Sequence, residues 1–232
     1  MPILFQRIYD ALMHDEGYKL ILGGLATTLL ISAMAVIIGT ILGTIIGVTK
    51  VYSNQNKYLK ILNVICDTYI TVIRGIPVLI QLLIMYNIIF VTATSKHAVL
   101  FVAVIAFGIN SSAYVAEIIR SGISSIDMGQ REAGIALGLD EFRTMMLIII
   151  PQAIKNILPA LFNEFIALVK ETAVAGYIGI MDLTKVSDII KSKTYEPSGP
   201  LVIIAILYFV IVAGLTHVLK HLERRMRKHD RR

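Results

Sequence analysis

An all-α membrane protein of about five transmembrane helices is the fold class that this sequence predicts, and three observations predict it. Of 232 residues, 56% are hydrophobic and only 16% are charged, a composition far from that of a soluble domain. Apolar stretches recur at lengths that suit the roughly 30 Å hydrocarbon core, which a helix of about 20 residues crosses. Basic residues gather at the ends of those stretches: the net charge of +6 comes largely from Arg224, Arg225, Arg227, Lys228, Arg231 and Arg232, opposed only by Glu223 and Asp230. Positive charge beside a hydrophobic span marks the cytoplasmic side, so the carboxyl end is read as cytoplasmic and the tail as no nucleic-acid site.

Met1 to Lys19 is mixed in charge and precedes an apolar stretch far longer than a signal-peptide core, so no cleaved leader is expected. The first span is Leu20 to Thr49, without a charged residue. Along it Gly39, Gly43 and Gly47 repeat every fourth residue after Ala35, a smooth ridge where another helix can approach, from this chain or from another subunit. Lys50, Lys57 and Lys60 follow without a nearby acid, which puts this loop inside and the amino terminus outside. The second span, Leu59 to Val91, contains Asp67, Arg74 and the sequence Arg74-Gly75-Ile76-Pro77. Proline lacks an amide donor and disfavours helical geometry in the residue before it, so a broken helix is predicted. Such a break is tolerated at bilayer depth only where protein or a water-filled cavity covers it.

A short outer loop, Thr92 to His97, leads to the third span, Ala98 to about Ile119, with Asn110, Glu117 and Arg120 toward its inner end. Ser121 to Arg143 is polar and rich in small residues, which suits a short surface helix over about Met128 to Leu139. The fourth span, about Thr144 to Leu168, carries Pro151, Lys155, Pro159 and Glu164. Ala173 to Met181 is apolar but too short to cross, which suits a segment that dips in from outside before Asp182 to Lys193 returns to water. Pro200 to Leu219 is the last span. Residues 1–232 are read as one transmembrane domain.

Ionisable side chains inside a span are costly, so they face protein or a water-filled path. Asp67, Arg74 and Gln81 are seven residues apart on the second span, as are Asn110 and Glu117 on the third and Asn156, Asn163 and Lys170 on the fourth. A seven-residue step drifts only about 20° around a helix, so each series lies on one face where its helix is continuous. Each residue admits two readings, a polar seam along a translocation path or a buried network that fixes packing. Glu117 with Arg120 reads as a structural ion pair, and Asn163 and Glu164 as path residues. Amides of Val78 to Ile80, at the start of the outer half-helix, suit a carboxylate, and Glu164 or Asp67 would answer an ammonium. The single cysteine, Cys66, has no disulfide partner, no metal-ligand companions and no histidine near it, so neither a metal site nor an intramembrane enzyme is read.

After Gln130 come Glu132-Ala133-Gly134, then Gly138 four residues later, then Ile148 and Pro151. This closely resembles the EAA motif of bacterial ABC-importer permeases, with Gly134 for the second alanine and Ile150 for a leucine. Within that superfamily the chain resembles the polar amino acid branch, the histidine, glutamine and arginine permeases, over nearly its whole length. One block is Arg74-Gly75-Ile76-Pro77 through Gln81-Leu82, where the family usually has threonine in place of Ile76. A second runs from Ser112-Ala113-Tyr114 through Glu117, Arg120 and Gly122 to Gly129-Gln130. The third runs from Pro151-Gln152-Ala153 through Asn156, Leu158-Pro159-Ala160, Asn163 and Lys170 to Ile178-Gly179.

The resemblance implies a type I importer permease fold (MetI-like), in which two permease subunits, identical or related, surround one path in the bacterial cytoplasmic membrane. Two ATPases would dock on the coupling helices, here through Gln130, Glu132, Ala133, Gly134 and Gly138, and an external binding protein would deliver the amino acid. The chain has no G-x-x-x-x-G-K-[ST] loop, so ATP and Mg are expected on the partner ATPase, with no cofactor and no catalytic residue on this chain. Family positions that face the path map to Val78, Asn163 and Glu164. Val78 is uncharged, while Asp67 and Glu164 keep arginine, lysine or histidine open as substrates beside glutamine and cystine. An ion-coupled secondary amino acid transporter is the alternative; it would also hold charges and broken helices in the membrane, but it leaves the Glu132 loop unexplained.

Overall fold

In a computed structural model, which describes residues 2–13, 16–55 and 59–229, the apolar stretches are helices, and no strand occurs among the described residues. Lys57 of the loop after the first span and Asp230, Arg231 and Arg232 of the basic tail lie outside those residues. The α-helices are α1 (Pro2–Met13), α2 (Gly17–Gln55), α3 (Lys60–Gly75), α4 (Val78–Ile84), α5 (Lys96–Ser124), α6 (Met128–Ala136), α7 (Glu141–Thr144), α8 (Ile150–Glu171), α9 (Leu183–Thr194) and α10 (Ser198–His229). Single π-helical turns follow α4 and α7, and α8 runs into a 3-10 helix, Thr172–Ile178. Four helical runs, Gly17–Ser53, Lys96–Ser124, Glu141–Ile178 and Ser198–Met226, are long and apolar enough to cross a bilayer. The broken pair Lys60–Gly75 and Val78–Ile89 is the fifth if it counts as one span, in agreement with the spans expected.

The break forms where proline requires it. Pro77 has φ −55° and ψ 136°, and α3 stops at Gly75. The chain closes the gap with its own groups: Gln81 Nε2 donates to the Ile76 carbonyl at 2.7 Å, and the Ile80 and Gln81 amides donate to the Pro77 carbonyl at 2.9 and 3.2 Å. Those carbonyls, orphaned by the missing helical turn, are satisfied without water.

The chain packs as two compact units, Met1–Ile37 with Ile76–Gly108 and Phe165–His217, and Ile38–Gly75 with Ile109–Glu164 and Val218–Arg232. In the first unit Ala11, Ile21, Leu183, Val186 and Ile203 form a core that joins α1, α2, α9 and α10. The segment expected to return to water, Asp182 to Lys193, packs one stripe on this core and leaves Asp188, Lys191 and Lys193 exposed. Leu183, Val186, Ser187 and Ile190 are buried, because their spacing gathers them on one stripe of a helix. Asp182 caps α9 by accepting from the Thr184 and Lys185 amides at 3.1 and 2.9 Å, and Thr28 Oγ1 of α2 accepts from the Leu183 amide at 3.2 Å. Burial pushes the Asp182 carboxyl up from its ordinary value, while the Lys185 and Thr184 amides pull it down. At the other end of α9, Arg7 pairs with Glu196 at 3.2 Å and donates to Ser198 at 3.1 Å, which ties α1 to the start of α10. The Ser198 hydroxyl and amide, with the Arg7 charge, hold the Glu196 carboxyl below its ordinary value.

In the second unit the glycine ridge meets α5. A Cβ at Gly39 would stand 2.7 Å from Ser111, one at Gly43 2.6 Å from Val115 and one at Gly47 2.7 Å from the Ala116 carbonyl oxygen. The ridge is thus spent on packing within the chain. Below it Val115, Ile119, Ala153 and Ile157 form a core between α5 and α8.

The short surface helix ends earlier than expected, at Ala136 instead of Leu139. Gly138 stops it with φ of 83°, a left-handed conformation that costs glycine nothing. Its amide donates to Ile135 at 2.9 Å while the Leu139 amide reaches back to Gly134 at 3.2 Å, a paired closure of the last helical carbonyls.

Candidate functional site

Four groups of residues stand out, three in the second unit and one at the break in the first. The first group is an ion-pair cluster where α2, α3 and α5 meet. Lys50 Nζ lies 2.6 Å from Asp67 Oδ1 and 3.9 Å from Glu117 Oε2. Arg120 Nε donates to Glu117 Oε2 at 2.9 Å, and its Nη2 pairs with Oε1. Asp67 is 48% exposed, so water screens its pair and the short distance overstates its strength. Further along α3, the Arg74 guanidinium stacks over the Tyr114 ring at 5.0 Å, a cation–π contact. The Tyr69 hydroxyl donates to the Ile109 carbonyl at 3.2 Å and lies 2.6 Å from Ser112 Oγ. Asp67 and Arg74 each meet a residue of a neighbouring helix, Lys50 and Tyr114, while Arg74 stays exposed. Lys50 and Arg120 pair with Asp67 and Glu117 in the cluster, and the Arg74 guanidinium is near enough to act on the Glu117 charge as well.

On α8, Glu164 accepts a hydrogen bond of 2.8 Å from Ser111 Oγ of α5. Asn163 beside it is exposed, as is Asn156, whose Nδ2 donates to Ser125 Oγ at 2.9 Å. The helix stays continuous through Pro159, so Asn156 and Asn163 share one exposed polar face, as expected. Glu164 is half-buried: reachable, yet partly withdrawn from water. Asn110 is buried within α5.

Val78 and Gln81 belong to the first unit. Val78 opens α4, which packs on the 3-10 segment Thr172–Ile178. The expected row of amides from Val78 to Ile80 is shortened, because Ile80 already donates to Pro77. Gln81 spends its side-chain donor on the break itself.

The surface helix α6 carries the other predicted group. Asp127 caps its start by accepting from the Gly129 amide at 2.7 Å. Gly134 is buried, and a Cβ there would stand 2.7 Å from Thr144 Cγ2 and 3.0 Å from Ile148 Cδ1. That contact accounts for glycine at the position of the motif's second alanine. Arg131 pairs with Glu141. With its base anchored, α6 presents Gln130, Glu132 and Ala133 to the outside, and the turn after it presents Gly138. Around them Met128, Ile135, Leu137 and Phe142 are 65%, 51%, 81% and 63% exposed, large apolar side chains left open in a polar loop.

Sequence reasoning did not single out Lys50, Tyr69 or Ser111 for the site. The run Asn110-Ser111-Ser112 inside an apolar span was the available signal for Ser111. Lys50 carried none beyond topology.

Residues 39–228 match the model of a family described as binding-protein-dependent transport system inner membrane component. The arginine transport system permease protein ArtQ of Bacillus subtilis (strain 168) is 40% identical over 210 residues, which is 90% of this chain and 94% of that protein. A solved structure described as an amino acid ABC transporter with histidines contains a chain that is 44% identical, with a TM-score of 0.85 over 93% of this chain and 98% of that one. The inward-facing MetNI methionine ABC transporter shares the fold, with a TM-score of 0.70 over 90% of this chain and 99% of that one at 19% identity.

Proposed function

Because the chain belongs to the family of inner membrane components of binding-protein-dependent transport systems, we propose that it is the transmembrane subunit of an ATP-driven importer that carries a polar amino acid across the bacterial cytoplasmic membrane. The observation that carries this reading is α6. It is short, capped at both ends by its own chain, and fixed at Gly134 to Thr144 and Ile148 at the root of the fourth span. A push on such an element moves the span instead of being absorbed by a loose loop. Its exposed apolar residues and Glu132 suit burial in a groove of a partner, since large apolar side chains gathered on a surface mark an interaction site.

In this reading an ATPase subunit, which binds ATP and Mg, docks on α6, and a second permease, the same chain or a related one, does likewise. The ATPase and an external binding protein bias the permease between two states by binding them unequally. This chain does no chemistry. Glu164 and Asn163 offer a carboxylate and an amide to the substrate, and the similarity to ArtQ supports a cationic side chain. Arginine is the first substrate to test, with lysine, histidine, glutamine and cystine beside it.

The test is reconstitution in proteoliposomes with the candidate ATPase and binding protein, with ATP hydrolysis read for each amino acid. Stimulation by one or a few of them, lost in Glu132→Arg and Leu137→Asp together with ATPase association, supports the reading. Uptake that follows an ion gradient without any ATPase would replace it with a secondary transporter.

A further inference from the structure

We propose that Ser111 is a positioning residue for Glu164, held in place by the close approach of Gly39, and that these three residues together let the α8 carboxylate select a cationic group on the substrate. The inference rests on the reading that Glu164 meets the amino acid, and it names what makes that carboxylate selective.

Ser111 is fully buried, so its hydroxyl must find its partner inside the protein. A serine within a helix has a ready acceptor in the carbonyl three or four residues back. The next residue, Ser112, takes that course and donates to the Ile109 carbonyl at 2.7 Å. Ser111 instead donates across to Glu164 Oε1 at 2.8 Å. A hydrogen bond to an ionised acceptor is stronger than one to a neutral acceptor and carries geometric preference. It therefore sets how the carboxylate of a long, three-torsion side chain is turned.

Gly39 is the wall behind the hydroxyl. A Cβ placed there would lie 2.7 Å from both Cβ and Oγ of Ser111 and 3.3 Å from its carbonyl carbon. The α2 backbone thus packs directly against the Ser111 side chain, hydroxyl included, and leaves it no room to move toward α2. Gly43 and Gly47 approach the same helix as closely, but their nearest atoms belong to Ser112, Val115, Ala116 and Ile119. The ridge separates two roles: all three glycines seat α2 on α5, and Gly39 alone bears on the serine that holds Glu164.

The experiment uses the reconstituted importer and reads the ratio of kcat/KM for arginine over glutamine in the wild type, Glu164→Gln, Ser111→Ala, Gly39→Ala, Gly43→Ala and Gly47→Ala. Glu164→Gln is expected to lower the ratio most. Ser111→Ala should lower it by about tenfold, the low end for losing a hydrogen bond to a charged group. Gly39→Ala should follow Ser111→Ala because it displaces the hydroxyl without removing it. Gly43→Ala and Gly47→Ala should lower rate or thermal stability and leave the ratio as it is.

A ratio unchanged in Glu164→Gln, or an importer that carries only neutral amino acids, defeats the reading of Glu164 and the inference with it. If Glu164→Gln changes the ratio while Ser111→Ala does not, the inference alone is overturned. A shift in Gly43→Ala as large as in Gly39→Ala would assign the effect to helix spacing and also overturn it. Ser111→Ala only removes an atom, so it remains informative if Gly39→Ala fails to assemble.

Discussion

Replacing Gly43 by alanine puts a methyl group where α5 already stands. The added Cβ would lie 2.6 Å from the Ser112 carbonyl oxygen, 2.6 Å from Val115 Cβ and 2.7 Å from its Cγ1. Carbon atoms rest about 3.5–4.0 Å apart, so the two helices must separate locally by roughly 1 Å. Neither neighbour can give way by itself: one is backbone, and the other is a β-branched side chain with a stiff first torsion. Overpacking of this kind costs about 1–3 kcal/mol, against which alanine returns about 1 kcal/mol of helix propensity. Gly23 lies in the same helix and is the internal control, since a Cβ there meets nothing within 4 Å. Both alanines gain the same propensity, so the difference between them isolates the contact. In a thermal melt of the purified chain in detergent, a domain of this length shifts by about 2–4 °C for each kcal/mol. Gly43→Ala should therefore melt about 2–12 °C below Gly23→Ala. If the two melt together, the ridge does not bear on α5 and the pairing of these helices is wrong.

Three further substitutions test other parts of the structure. Gly138→Ala forces a side chain onto a φ of 83° and should cost about 1–2 kcal/mol in the same melt, with Gly138→Asn less costly because asparagine tolerates that conformation. Burial raises the folded pKa of Asp182, so its contribution to stability is fully present below the unfolded carboxyl value of about 3.9 and is lost as pH rises through the folded value. Asp182→Asn keeps an acceptor for the α9 amides and removes that loss, so a pH series of melts should show its largest gain over the wild type at neutral pH. Glu196 has the opposite sign: its pKa is lowered by Ser198 and then by Arg7, so its contribution is present above about pH 4.3 and lost as pH falls through the folded value. Glu196→Gln should flatten the acid limb of the same series, and an unchanged limb would remove the Arg7–Glu196 pair as a contributor.

Several features were legible in the sequence because they depend on neighbours in the chain. Spans follow from apolar length, the break from the geometry of Pro77, and α6 from a polar loop with Glu132, Gly134 and Gly138 at motif spacing. The shared face of Asn156 and Asn163 follows from helical period alone, once Pro159 is tolerated. The buried stripe of α9 was also available, in the spacing of Leu183, Val186, Ser187 and Ile190, between charges that stay exposed at Asp188 and Lys191.

The remainder depended on which helices pack together, and local rules carry no information about that. Lys50 was a topology marker until α2, α3 and α5 met and placed its ammonium against Asp67 and Glu117. The partners of Asp67 and Arg74 became visible only when Lys50 and Tyr114 were found facing them. Ser111 had no visible task until α8 brought Glu164 to within a hydrogen bond. The sequence by itself determined the solvent, the spans, the break and the short surface helix, since hydrophobicity, proline geometry and helical period all act within a few residues. Tertiary structure alone decided the partner of each charge, because a buried charge or hydroxyl is satisfied by whatever lies within about 3 Å across a helix interface, and residues distant in sequence meet there.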